Sequence, residues 1–332
     1  MYRSLLSAAC VVALGWAGIV WAADNPSLKL VQTIPLKGAT GKLDYLVTDA
    51  RNERLFVANK ANNTLDVVDL KAGALIKQIP GQQGVQGVAY AADLDRVFAG
   101  IGSGGFCNIF DGSSYKLLKS VKFKDDADNV RYDARTHCAY VAHAEAAVGV
   151  IDAKTFELKA DIKMPGAAEA FCLEAKRPRM WVNIPSPCQV VAVDTDKNEV
   201  VGSFPVKAAS ESHPIAIDET HRRLFIGCRK KPMFIVLDSE NGKELAALPI
   251  PGEVDGLAYD PNRKCVYASC GEGFLCIIRQ TDADHYEVGE KVPTAKGAKT
   301  CCFSENDGKL YLAVPRQPGK DGPEVRVYQA AP

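Results

Sequence analysis

The chain has 332 residues, with 40 Lys+Arg against 40 Asp+Glu and five His; 47% is hydrophobic and 8% aromatic. Zero net charge excludes the broad basic footprint of a dedicated nucleic-acid binder. A length of this order holds two average domains or one large all-β domain, and 24% charged residues without charge blocks argue for a folded chain.

Arg3 is the sole charge before Asp24, so an uncharged, mostly apolar run follows a short basic start. Ending in Val20-Trp21-Ala22, residues 1–22 read as a secretory signal cleaved after Ala22, with an uncleaved anchor as the alternative. Cys10 makes a poor lipidation site, because Ser7 stands where an apolar residue is wanted. The expectation is an exported, periplasmic or extracellular monomer, with no transmembrane span in the mature protein. Ten of the eleven cysteines lie beyond this segment, none in a C-x-x-C spacing. Most sit in apolar runs such as Phe274–Ile278 and read as buried small hydrophobes, with at most two disulfides. Cys228 and Cys270 occupy the same repeat position in neighbouring repeats and are the expected closest pair.

One short apolar run recurs seven times from residue 55 onward. Its aromatic residues are Phe56, Phe98, Tyr140, Trp181, Phe225, Tyr267 and Tyr311, spaced 41 to 44 residues apart. Asp69, Asp111, Asp152, Asp194 and Asp238 end a second apolar run in phase with the first. Within the first repeat, Asp44–Thr48, Arg54–Asn59, Thr64–Val68 and Ala74–Ile79 read as four strands separated by Asp-, Asn- and Gly-bearing turns. Four short strands repeated every 42 or so residues predict an all-β, seven-bladed β-propeller with four antiparallel strands per blade. The blades fall at about 42–81, 84–125, 127–165, 167–206, 211–250, 253–294 and 297–329 within one domain, 23–332. The last repeat has only three strands, and Leu28–Pro35 matches the missing fourth. The N-terminal strand is therefore expected to complete the last blade beside Glu324–Tyr328, hiding two sheet edges.

At Phe56-Val57-Ala58-Asn59 and Asn63–Asp69, the chain resembles the YVTN-repeat (YncE-like) propellers of exported bacterial proteins. Pro214–Asp218 and Gly256–Asp260 match that family's first strand, and the likeness covers about residues 28–329. The resemblance implies an extracytoplasmic binding or scaffolding module, with some relatives in lactone hydrolysis or cofactor-dependent oxidation. The motifs of gluconolactonase-type propellers are not recognisable, and Ser212-His213-Pro214 only faintly echoes the phosphogluconolactonase-like ones.

Several strings imitate chemistry. Gly100–Gly105 satisfies G-x-G-x-x-G, but a strand rather than a helix follows it, so it reads as a hairpin. The five recurrent aspartates read as turn residues. Arg229-Lys230-Lys231 reads as a solvated turn, and nucleic acid is not expected as a partner.

A propeller's innermost strands line a central channel. Aligning the repeats gives one rim residue per blade: Asp44, Gln86, Asp128, Glu169, His213, Asp255 and Lys299. The ends of the second strands add Asn59, Lys60, His143, Asn183 and Arg229. Converging charges beside low-dielectric walls are the raw material of binding sites. An acidic sector at Asp128, Glu169 and His143 would suit a divalent cation such as calcium or a hydroxyl-rich ligand. A neutralised sector around Asp255, with Arg229, His213 and Lys299, would suit an anionic group. Two functions follow: a module that binds a small molecule or protein at the rim, or a lactone hydrolase. The latter would use His213 or His143 as general base and Asp128 or Asp255 to orient it.

Overall fold

The computed structural model describes residues 28–330; the N-terminal segment read as a signal lies outside them. Seven four-stranded antiparallel sheets follow one another along the chain. The first blade is built from Leu46–Asp49, Arg54–Asn59, Thr64–Asp69 and Ala74–Ile79, innermost strand first. In the seventh, the innermost-to-outermost order is Thr300–Ser304, Lys309–Val314, Glu324–Ala330 and then Leu28–Pro35. The chain thus closes as expected, with Leu28 opposite Ala330 and Pro35 opposite Glu324. Leu28, Ile34 and Leu36 are buried against this last blade. Among the described residues no helix is long and apolar enough to cross a membrane.

Burial separates the strands of each blade by their role. The second strand of blade 1, Arg54–Asn59, is buried at every position, because neighbouring blades cover both of its faces. The outermost strand of blade 2, Leu117–Lys122, is exposed at all but one position. In four blades the repeating aromatic residue meets an aromatic of the next blade. Phe56 packs on Tyr90 of the next blade's innermost strand at 5.5 Å between ring centroids. Phe98 does the same with Tyr132 (6.3 Å), Phe225 with Tyr259 (5.3 Å) and Tyr267 with Phe303 (5.5 Å). Such pairs add about 1 kcal/mol beyond area burial, which accounts for the period.

Two of the three strings resolve as read; of Arg229-Lys230-Lys231, Arg229 and Lys230 instead end the strand Arg223–Lys230 and only Lys231 lies in the turn. Gly102–Gly105 turn between Arg96–Ile101 and Phe106–Asp111, two strands of one hairpin. Each recurrent aspartate accepts a backbone N–H from its own turn, as Asp69 does from Ala72 (2.7 Å) and Asp238 from Glu240 (2.8 Å).

Candidate functional site: the channel mouth

The rim residues are aimed by a repeated irregularity. In four blades the pairing between first and second strands slips just where the rim residue sits. The slips span Val85–Val88 around Gln86, Ala127–Val130 around Asp128, Ser212–Ile215 around His213 and Val254–Gly256 around Asp255. Blades 1 and 4 show the same device in their hydrogen bonds. Asp44 N–H donates to the Ala58 carbonyl while Ala58 N–H donates to the Tyr45 carbonyl, and Glu169, Ala170 and Asn183 repeat this pattern. A bulge adds a residue without a cross-strand partner and turns its side chain, here into the channel. Innermost strand 1 accordingly starts at Leu46 rather than Asp44.

Contacts between blades fix these bulges in place. A Cβ on Gly100 would lie 2.3 Å from the Asp128 carbonyl oxygen, and one on Gly87 would lie 2.1 Å from it. Only glycine lets the next blade approach this closely. Where the equivalent residue is polar, it bonds forward. Asn183 donates to the carbonyls of His213 (2.9 Å) and Pro214 (3.1 Å), and Ser269 donates to that of Lys299 (2.7 Å). Thr300 donates to the Asp44 carbonyl (2.9 Å), joining the seventh blade to the first.

The mouth brings together Asp44, Gln86, Asp128, Glu169, Asp255 and Lys299 from the starts of the first strands and the residues leading into them, with Arg229 from the end of blade 5's second strand, Arg223–Lys230, and Lys60 from the 3-10 turn Lys60–Asn62. Lys42 and Tyr45, absent from the sequence-based set, complete it around a space of 90 Å³. Four carboxylates therefore face four cations. Asp255 is held twice, by Arg229 and by Lys299 (2.9 Å). Glu169 lies 3.1 Å from His213 Nδ1. Gln86 accepts from Lys60 and donates to Asp126 (2.8 Å). Asp44 and Asp128 stand apart, since neither carboxylate has a hydrogen bond or ion pair among the described residues. Burial, then repulsion from Asp255, pushes Asp44 up to about 7, against the pull of Lys60, Lys42 and Lys299. Burial, then Asp44, Glu169 and Asp126, holds Asp128 well above the usual carboxylate range.

His143 does not reach this cluster. Its side chain is buried within blade 3, Nε2 lying 2.8 Å from Asp161 of that blade's outermost strand and the ring stacked on Phe123 at 4.7 Å. It is not among the residues that line the mouth. The acidic sector is consequently Asp44 with Asp128, while Glu169 is met by His213. The expected metal set Asp128, Glu169 and His143 is not brought together either. Glu169, His213 and Asp255 are, with ligand atoms within 4.8 Å of one another. The two cations already on Asp255 and the shortage of oxygens make that set a poor match for calcium. Asn59, for its part, bonds Asp66 and the Lys37 carbonyl and serves its own blade.

Below the mouth the channel widens to 440 Å³. Arg131 projects into it with its guanidinium over Tyr45 (5.0 Å) and Phe171 (5.7 Å). One nitrogen donates to the Val130 carbonyl (2.8 Å), and no carboxylate pairs with it among the described residues. Sequence inspection passes over Arg131 because a lone cation in a strand gives no sign of facing a channel.

No family model matches the chain. It is similar to YncE, an uncharacterized protein of Salmonella typhi, at 25% identity over 189 residues, 55% of this chain and 52% of that protein. The Salmonella typhimurium YncE is 24% identical over the same shares. The alignment thus spans about half the length of these relatives. Among solved structures, Kuenenia stuttgartiensis hydrazine synthase matches with TM-score 0.75 at 15% identity, covering 84% of this chain and 94% of that one. The WD40 repeats of RRP9 match with TM-score 0.78 at 14% identity, covering 90% and 97%. At such identities these structures speak for the fold alone. Sequence likeness and seven closed blades together support a YncE-like β-propeller, a fold that usually serves as a scaffold for interaction or ligand binding.

Proposed function

We propose that the chain is a binding module whose channel mouth takes a small polar ligand through Asp44 and Asp128. The observation that carries this is that neither carboxylate has a hydrogen bond or ion pair among the described residues, whereas Asp255 is held by two cations and Glu169 lies 3.1 Å from His213 Nδ1. Two crowded acids with raised pKa values are left wanting a cationic or hydrogen-bond-donating group. A cationic or hydroxyl-rich end would sit on Asp44 and Asp128, and an anionic or carbonyl end would turn toward Lys299 and Arg229. Export through residues 1–22 belongs to the same proposal, and N-terminal sequencing of protein from its host should begin at Ala23.

The lactonase reading gains no comparable support. His213 faces Glu169 rather than Asp128; Asp255 comes within 4.8 Å of it but is already held by Lys299 and Arg229, and Arg229 also donates to the Val254 carbonyl instead of standing free to stabilise an oxyanion. Among the described residues the exposed large apolar side chains are scattered over outer strands, such as Val31, Ile76, Leu117 and Val201, and offer no patch to argue a protein partner from.

The test is a thermal-shift comparison of wild type with the Asp44→Asn, Asp128→Asn double variant, using calcium chloride, putrescine and gluconate as probes. At least one probe should raise the wild-type melting temperature and leave the double variant unmoved. Equal responses in both proteins, or none in wild type, would place the function away from the mouth.

A further inference from the structure

The wider part of the channel, below the mouth, is lined by one equivalent position from all seven blades: the first-strand residue opposite the recurring aromatic. In six blades that residue is uncharged and small or apolar. It is Val47 opposite Phe56, Ala89 opposite Phe98, Cys172 opposite Trp181, Ala216 opposite Phe225, Ala258 opposite Tyr267 and Cys302 opposite Tyr311. In blade 3 it is Arg131, opposite Tyr140. Six blades fold without a charge there, so blade packing does not call for the arginine. A cation among apolar walls costs desolvation free energy unless something answers it. Cys172 and Cys302 are free thiols, as are all ten cysteines among the described residues, and Cys228 and Cys270, the expected closest pair, lie in separate core clusters.

Arg131 is half-buried, and its guanidinium lies over the rings of Tyr45 (5.0 Å) and Phe171 (5.7 Å). A guanidinium carries five N–H donors. One nitrogen donates to the Val130 carbonyl (2.8 Å), and no other hydrogen bond or ion pair engages the group among the described residues. Among the described residues lining this chamber, Arg131 is the sole cation and Asp255 the sole carboxylate, and Asp255 is already held by Arg229 and Lys299. The walls are otherwise apolar. The hydroxyls of Tyr90, Tyr132 and Tyr259 donate to Asp95 (2.9 Å), Asp93 (3.0 Å) and Gln280 (2.7 Å), none of which lines the chamber, so these residues present ring surface to it.

We propose that the chamber is a second binding site, for a small monocarboxylate with an apolar or aromatic body, anchored by Arg131. The planar guanidinium matches a carboxylate with two parallel N–H bonds, which a lysine could not supply. Contact with two aromatic faces fixes its plane beforehand, so little freedom is lost on binding. The ring-lined walls of the 440 Å³ space take the hydrocarbon body. Inorganic phosphate would meet the same cation but leave those walls uncovered. Binding here requires no ligand at the mouth, although Tyr45 and Asp255 line both spaces.

Isothermal titration calorimetry of the full-length protein at pH 7.5, with sodium phenylacetate, its neutral amide 2-phenylacetamide and sodium acetate, tests this. Phenylacetate should bind wild type about tenfold or more tighter than either of the others, because it alone carries both the charge and the ring. Arg131→Met should weaken phenylacetate by about tenfold or more and keep its melting temperature, since six blades already hold an uncharged residue there. Arg131→Lys should fall between, keeping the charge without the fork. The Asp44→Asn, Asp128→Asn double variant should bind phenylacetate at least as tightly as wild type, which separates this site from the mouth. No binding to wild type, an amide or acetate that binds as well as phenylacetate, or an Arg131→Met variant that binds it unchanged would overturn the proposal. So would binding lost in the mouth variant and kept in Arg131→Met. Should Arg131→Met fail to fold, the comparison of acid with amide on wild type and the Arg131→Lys variant still test the site.

Discussion

Replacing Asp44 by Asn removes an acid that the fold holds in an unfavourable ionised form. Asp44 rises from 3.8 to about 7 on folding. An acid shifted this way supports the fold fully below its unfolded pKa and loses that contribution as pH climbs through the folded one. The window for Asp44 therefore runs from about pH 4 to pH 7. At 1.36 kcal/mol per unit, the whole shift corresponds to about 4 kcal/mol. The mouth is open to water and salt, which screen the repulsion, so about 2 kcal/mol is the expected gain for Asp44→Asn at pH 8. That gain should shrink to nothing near pH 4. Urea denaturation of both proteins at pH 4.5, 6 and 8, with m-values compared, measures it directly. A variant less stable than wild type at pH 8 would show that Lys60, Lys42 and Lys299 already satisfy the carboxylate, and that Asp44 is not waiting for a ligand. Stability gained while probe response is lost is the signature expected of a binding residue.

Other perturbations separate the mouth from its scaffold. Gly100→Ala drives a Cβ against the Asp128 carbonyl; it should cost about 2 kcal/mol in chemical denaturation and weaken any probe response together with it. His143→Ala breaks the contact to Asp161 and empties the place beside Phe123, so a loss of about 2–3 kcal/mol with probe response unchanged is expected. Asn183→Ala removes two bonds to the blade 5 first strand, at a cost of about 1–3 kcal/mol in the same assay. Deleting residues 28–36 bares the edge of Glu324–Ala330; size-exclusion chromatography should then show aggregation, and an unchanged monomer would refute the role of closure.

The blades are legible in the sequence because two local markers, an aromatic that recurs seven times and an aspartate that ends the next apolar run in five of the repeats, keep in phase along the chain. Phe56, Phe98, Phe225 and Tyr267 repeat because each meets an aromatic of the next blade. Rim positions are legible for the same reason, since alignment places Asp128 and Asp255 without knowledge of the bulges that aim them. What remains hidden is set by contacts between blades. Alignment sets Arg229 and Lys299 beside Asp255, where the structure pairs them, but it holds no sign that Asp44 will go unpaired. His143 carries a local hint that alignment ignores: Asp161 lies 18 residues on, at the span of two hairpins in one blade.

The most direct measurement is a crystal structure of the protein soaked at neutral pH with whichever of calcium, putrescine or gluconate stabilises it most. The predicted result is the probe's cation or donor group about 3 Å from the carboxylates of Asp44 and Asp128, with any anionic end toward Lys299 and Arg229. A mouth holding only water, with the probe bound on the outer strands, would contradict the account.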